Sequence, residues 1–328
     1  MGAGRMGLRR GQFAMDNADT VVVSVFDTDG ERAREASVHF GCPARGSFAE
    51  TLSLDRPDVV FVCSPNGAHL QETVAALEAG SHVFCEKPLA RTATEALTIA
   101  AAARPGATVR VGANLRYFPN VAKARELFDS GAIGWPLFFR GWIGHEGWNL
   151  SNTWFTQMET SGGGTYLDNG VHMLDLMRWF LGEATSCTGM VDTKHWPIAP
   201  VEDNGFGLYQ MANGATGFVQ ASWTEWDGYA YFEIYGSTGY IKVDARGSSS
   251  TTVIGDTNGK EERFDFSHVP PNSLKLEFDD YIRELRAGHA PSPNALDGAR
   301  VVQLATAVYE ASRTGQRVEL TPVLPPGS

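Results

Sequence analysis

Asp168 and His172 stand four residues apart in GGGTYLDNGVHMLDLMRW, Gly162 to Trp179. On a helix that spacing puts a carboxylate and an imidazole on one face, with Asp175 a turn further on. Histidine titrates near neutrality and suits the removal of a proton from an alcohol. Leu167, Val171 and Leu174 form a neighbouring stripe, so such a helix buries one face and offers the other for chemistry. Glu86 and Lys87, in CEKP, end an apolar run. An ammonium held beside a hydroxyl would stabilise a developing alkoxide. The chain opens on a third cluster: MGAGRMG sets Gly2, Gly4 and Gly7 in the order G-x-G-x-x-G, with Arg5 and Met6 in the turn. That spacing suits a turn that cradles a dinucleotide pyrophosphate.

Each motif has a plainer reading. The Asp–His pair could be a structural contact or half of a metal site. EKP could be a solvated turn, and His69 a surface residue near a helix start. No second cluster of metal-ligating types completes a shell, so no metal is expected. The glycine turn should follow a strand, and one residue precedes it here. The expectation is that the first strand is truncated and that the natural chain begins several residues upstream.

The elements that must position these groups alternate. VVVSVFD (Val21 to Asp27), PDVVFVCSP (Pro57 to Pro65), SHVFCEKP (Ser81 to Pro88) and TVRVGAN (Thr108 to Asn114) are almost wholly apolar runs. They suit strands buried on both faces of a parallel sheet. GAHLQETVAALEAG and RTATEALTIAAAARPG between them read as helices, closed by Gly80 and by Pro105-Gly106. This pattern predicts a doubly wound α/β sheet whose ligands sit at the strands' carboxyl ends. Asp27 ends the second run, twenty residues after Gly7. A carboxylate there accepts from adenosine ribose hydroxyls and repels a 2′-phosphate, which favours NAD over NADP.

From Pro119 the pattern changes. NVAKARELFDSGAIG reads as an amphipathic helix, and after the D-x-x-x-H helix come short alternating runs: NGFGLYQM, TGFVQASWTEW, YAYFEIYGS and GYIKVDA. Their N-G and S-T-G turns predict a mostly antiparallel sheet. Two helices close the chain. The organisation read from this is residues 1–118 as a dinucleotide-binding Rossmann domain. Residues 119–328 then form an α+β domain with an open sheet, for substrate binding and oligomerisation. Four of the eight tryptophans, Trp135, Trp142, Trp148 and Trp154, crowd residues 135–155 among glycines and amides. Aromatic faces beside polar groups suit polyhydroxylated rings. Trp148 and Trp154 are the expected pocket contacts.

SPNGAH (Ser64 to His69), CEKP and the D-x-x-x-H stretch, taken with the opening glycines, resemble the Gfo/Idh/MocA family of NAD(P)-dependent oxidoreductases. The likeness runs along nearly the whole chain. It implies that Lys87 touches the substrate hydroxyl near the nicotinamide and that Asp168 and His172 face the reacting carbon. It also implies that Ser64, Pro65, Asn66 and His69 wrap the cofactor's phosphates and ribose. Glu86 would contact the nicotinamide-side ribose, and Asn114 and Arg116 would lie in a cofactor-lining hinge segment. The sheet's free face would pack on another subunit, giving a homodimer or homotetramer.

Bulk properties agree. A chain of 328 residues carries two cores. A net charge of −11 without a basic block argues against nucleic acid and anionic membranes as partners. No secretory leader or membrane span stands out. Cys42, Cys63, Cys85 and Cys187 are scattered, as for reduced thiols in a cytoplasm. No arginine cluster marks a carboxylate or phosphate handle, which favours a neutral sugar or cyclitol as substrate. The expected reaction is oxidation of its secondary alcohol, with His172 as general acid/base and Lys87 and Asp168 orienting the hydroxyl. The alternatives are a transient-redox enzyme with bound NAD, of glycosidase or epimerase type, and a non-catalytic sugar- or NAD-sensing protein.

Overall fold

The computed structural model describes residues 1–147, 149–150, 153–246 and 249–321, with the backbone alone at Tyr229. It divides into two compact units. One is Met1–Gly112 with Leu274–Ala299; the other is Ala113–Ser273 with residues 300–321.

In the first unit α1 (Arg5–Asp16) begins directly after the glycine turn. Helix α2 (Gly30–Phe40) starts where the Asp29 carboxylate accepts from the Glu31 and Arg32 amides, and it ends on Gly41 at φ 65°. The short α3 (Phe48–Glu50) leads to β1 (Val59–Val62), α4 (Asn66–Glu78), β2 (His82–Cys85), α5 (Ala93–Ala102) and β3 (Val109–Val111). The strands form a parallel sheet, β1-β2-β3, with Val59 opposite His82 and Val83 opposite Val109.

Val21–Asp27 departs from expectation. Only Val25 pairs, in an isolated parallel bridge with Ala44. β-branched residues favour extended backbone, but a ladder forms only where a neighbouring strand pairs along the run. One edge of this run has Pro43 and Arg45; the other lines a cavity of about 590 Å³ that Val59–Phe61 also line.

In the second unit come α6 (Pro119–Asp129), β4 (Pro136–Glu146), α7 (Met158–Ser161) and α8 (Val171–Leu181). The remaining strands are β5 (Ala184–Asp192), β6 (Asn204–Met211), β7 (Thr216–Ser222), β8 (Thr224–Gly236), β9 (Gly239–Asp244), β10 (Thr251–Asp256), β11 (Glu261–Asp265) and β12 (Val318–Glu319). They join β4 in one sheet, ordered β11-β10-β9-β8-β4-β7-β6-β5-β12. Every pair is antiparallel except β4 with β7. Helix α8 lies on one face of it. A Cβ at Gly141 would come within 3.1 Å of the Met173 sulfur, and one at Gly217 within 2.2 Å of the Met177 sulfur. Two glycines in the sheet thus make room for two thioethers from the helix.

Helices α9 (Ser273–Arg286) and α10 (Ala295–Thr314) close the chain. The stretch from Leu274 belongs to the first unit, where Phe278, Tyr281 and Ile282 pack with Phe84. The fully buried Arg110 of β3 pairs there with Glu284 and Asp280.

Candidate active site

The glycine turn fits a dinucleotide. A Cβ on Gly7 would lie 1.8 Å from the Gly2 oxygen, and one on Gly2 (φ +76°) 2.7 Å from the Cys63 and Ser64 backbone. Only glycine closes this turn against its helix. At Gly4 a Cβ would meet nothing within 4 Å, so the middle glycine faces open space where a phosphate can approach. Helix α1 has no side-chain cap and no acid in its first turn, which leaves its leading amides to an anion. Arg5 and Met6 form that first turn. Asp27 holds the turn from beside it: Oδ2 accepts from the Ala3 amide at 2.7 Å and Oδ1 from Asp29. Each oxygen keeps lone pairs for ribose hydroxyls. Cys63 donates its amide to the Met1 carbonyl, and burial pushes its thiol up to about 12.

Ser64, Pro65 and Asn66 stand between β1 and α4, and the Ser64 hydroxyl donates to Glu72. His69 lies inside, 1% exposed, with Nδ1 2.9 Å from the Pro88 carbonyl and Nε2 2.9 Å from that of Ser64. Its ring ties the SPNGAH segment to the EKP segment, and burial holds its pKa below the ordinary value. Glu86 and Lys87 directly follow β2, and both are half-buried. Arg10 of α1, 1% exposed, donates to Glu86 at 2.8 Å and to Glu277 at 2.6 Å. Burial opposes its charge; the two carboxylates more than restore it and keep the guanidinium ionised.

In the second unit the Asp–His segment is not one helix. Tyr166–Gly170 is a π turn and α8 begins at Val171. From Gly163 to Met177 every residue is buried except Asp168 and His172. The expected continuation at Asp175 fails. That carboxylate is 8% exposed and bound bidentately by Arg116, at 2.7 and 2.6 Å. Arg116 also lies over the Trp179 ring. Asn114 donates to the Ser273 hydroxyl. Trp154 stacks on Phe155 with centroids 3.9 Å apart, and Trp148 lies outside the described residues.

The segment is held by a residue the sequence reading passed over. The Glu202 carboxylate, 4% exposed, accepts from Gly164 N–H at 2.7 Å, Tyr166 N–H at 2.9 Å and the Tyr309 hydroxyl at 2.9 Å. Its own carbonyl accepts from Thr165. A Cβ on Gly164 would sit 1.9 Å from that carbonyl, and one on Gly163 2.2 Å from the Tyr309 hydroxyl, so the glycine run is what lets the clamp close. Burial raises the Glu202 pKa, against the pull of these donors. Tyr166 hydrogen-bonds Tyr209, whose hydroxyl donates to the Leu304 carbonyl. His145 lies on β4 with Nε2 3.2 Å from the Asn169 amide nitrogen. The available signal for Glu202 was two adjacent acids, Glu202-Asp203, at the head of an apolar strand.

Among the described residues no group of three His, Cys, Asp or Glu could hold a metal ion, and no helix is long and apolar enough to cross a membrane. All four cysteines are free thiols.

Comparison with known proteins accords with this geometry. Residues 1–113 match the model of the oxidoreductase family with NAD-binding Rossmann fold, and residues 121–242 match the GFO/IDH/MocA C-terminal domain. A levoglucosan dehydrogenase of Pseudarthrobacter phenanthrenivorans is 28% identical, over 88% of this chain and 86% of its own. Inositol 2-dehydrogenase 3 of Saccharopolyspora erythraea is 26% identical, over 90% and 87%. The solved structure of a levoglucosan dehydrogenase with NADH and levoglucosan superposes with a TM-score of 0.87 at 25% identity, covering 98% of each chain. This chain therefore belongs to the Gfo/Idh/MocA family of oxidoreductases, with an NAD-binding Rossmann domain followed by the family's mostly antiparallel domain.

Proposed function

We propose that this protein oxidises a secondary alcohol of a neutral sugar or cyclitol. NAD, held by the Gly2–Gly7 turn, Asp27, Ser64 to Asn66 and Glu86, would accept the hydride. His172 takes the hydroxyl proton, Lys87 orients the hydroxyl and stabilises the alkoxide, and Asp168 anchors the substrate and tunes the imidazole. The carbon–hydrogen bond breaks as the carbonyl forms, so the products are a ketone, a reduced cofactor and a protonated His172. The observation that carries this reading is the selective exposure of Asp168 and His172 in a buried run. A buried segment held by a carboxylate clamp, yet open at two titratable groups, is arranged for proton transfer rather than for packing alone. The names of the relatives support an uncharged cyclic polyol as substrate class. Trp154 would offer an aromatic wall to its C–H face.

The outer face of the large sheet bears on assembly. Met190 pairs with Phe206 and Leu208 with Phe218 across neighbouring strands; Met190 and Leu208 are exposed. An apolar stripe of this kind is covered in a homo-oligomer.

The test is titration of the protein with NADH and NADPH, read by tryptophan quenching, then a screen for NADH formation. The screen sets neutral sugars and cyclitols against the matching sugar acids. Tight NADH binding and turnover of neutral polyols is the expected result. Binding of neither cofactor would remove the reading, and turnover of acids alone would overturn the substrate class.

A further inference from the structure

Glu86 stands one residue past β2, and its amide still donates to the Val62 carbonyl of β1 at 3.0 Å. It therefore shares a strand face with Phe84, two residues back. Arg10 of α1 comes to that face. Its guanidinium carbon lies 4.3 Å from the centroid of the buried Phe84 ring, and Nε donates to Glu86 Oε1 at 2.8 Å. A Cβ on Gly112 would come within 3.0 Å of Oε2, so the second oxygen lies against a residue with no side chain. The Glu86 side chain is 13% exposed and that of Arg10 is 1% exposed. The carboxylate thus has a buried guanidinium behind it and a narrow open rim in front.

Arg10 is itself fixed by a third element. Nη2 donates to the wholly buried Glu277 at 2.6 Å and Nη1 to the Leu274 carbonyl at 3.1 Å, both on α9. Each nitrogen of the fork is engaged, and a planar fork held at three points cannot turn. Glu277 alone would answer the charge of a buried arginine. The bond to Glu86 is additional, and it removes rotamers that a glutamate at a rim would otherwise sample. Restricting a binding group before its ligand arrives lowers the ordering cost of binding.

We infer that Arg10 is a positioning residue for the cofactor: it holds the Glu86 carboxylate in the orientation that accepts from the hydroxyls of the nicotinamide-side ribose. Helix α9 in turn holds Arg10, so a segment far along the chain steadies one end of the dinucleotide. This role rests on the proposed contact between Glu86 and that ribose. Arg10 acts through Glu86 alone, and its effect is confined to the ribose half of the cofactor.

The experiment titrates ADP, ADP-ribose and NADH against the full chain, against Glu86→Ala, and against the double variant Arg10→Met with Glu277→Leu. ADP-ribose carries the second ribose without nicotinamide; ADP carries neither. The unmodified protein should bind ADP-ribose at least about tenfold tighter than ADP, as charge-assisted hydrogen bonds to a diol give. The double variant removes a buried charge with its counter-charge, so its melting midpoint should stay within about 5 °C. Its ADP affinity should hold within about threefold and report an intact fold, while the advantage of ADP-ribose disappears and NADH weakens at least about tenfold. Glu86→Ala should lose the same advantage, and the triple variant no more than that, since both changes act on one bond. An unmodified protein that binds ADP-ribose no better than ADP, or a Glu86→Ala protein that keeps the advantage, removes the ribose contact and this role with it. An advantage lost in Glu86→Ala but kept in the double variant overturns the role of Arg10 alone. So does an equal weakening of ADP and ADP-ribose in the double variant, which marks a purely structural arginine.

Discussion

The turn at Gly2–Gly7 is held by two backbone hydrogen bonds and by one that the Ala3 amide donates to the Asp27 carboxylate. The segment bearing Asp168 and His172 is held by a buried carboxylate that takes three, backed by a chain of tyrosines. In the first, geometry comes from side chains that are not there; in the second, from side chains that cannot be spared. The first is therefore sensitive to an added methyl group and the second to a deleted oxygen. On the proposed function both would serve one purpose, to hold reacting groups still, because positioning is much of what a protein adds to hydride chemistry.

The sharpest way to break this contrast is Glu202→Ala. It leaves two amides and a hydroxyl unpaired in the interior, so about 3 kcal/mol or more should be lost in urea unfolding. Glu202→Gln, which keeps an acceptor, should recover at least half of it. Equal stabilities for all three proteins would show that the clamp holds nothing. Next come His172→Ala and Lys87→Ala. Each should lower turnover by at least about 10²-fold while NADH affinity stays within about threefold. A variant with near-normal turnover would leave the mechanism.

On the glycine side, Gly7→Ala should weaken NADH binding at least tenfold and lower the melting midpoint, because its methyl meets the Gly2 oxygen. Gly4→Ala should weaken binding comparably and leave melting unchanged, since space is open there. If the two variants behave alike in melting, the assignment of one glycine to packing and the other to ligand approach is wrong. Asp27→Ala should cut the preference for NADH over NADPH by about tenfold, or ~1.4 kcal/mol, as read by paired titrations.

The smallest effect is on pH. Burial holds His69 below its ordinary value, so the unfolded chain binds that proton more readily. Its contribution to stability is complete above about pH 6.5 and is lost as pH falls toward the folded value. His82 shifts the same way, also through burial. Urea midpoints should fall on acidification, and fall less in His69→Gln. An unchanged slope would take His69 out of the balance.

Much of this was legible in the sequence, for identifiable reasons. The runs at His82–Cys85 and Val109–Val111 are almost wholly buried, and Val59–Val62 buries one face and partly covers the other, so apolar composition marks all three. Val21–Asp27 has the same composition and makes only one bridge, because a ladder is a property of two chains' edges and not of one. Asp168 and His172 are both partly exposed, but a π turn over Tyr166–Gly170 that no periodicity announces stands between the first and the helix of the second. Asp175 sits at helical spacing from His172, yet Arg116 claims it from 59 residues away. Glu202 was invisible because an acid before a strand reads as a turn, and its three partners are supplied only by the fold.

Cys63 turns the glycine turn into something that can be timed. Burial pushes its thiol up to about 12, so little of it is thiolate at neutral pH. Alkylating reagents therefore pass it by while the turn is seated. When Met1 and Gly2 lift away, the partly buried sulfur becomes more accessible and returns toward the reactivity of an ordinary cysteine. The labelling rate of this one atom is a clock for the opening of the cofactor cradle, and a ligand that seats the turn stops it.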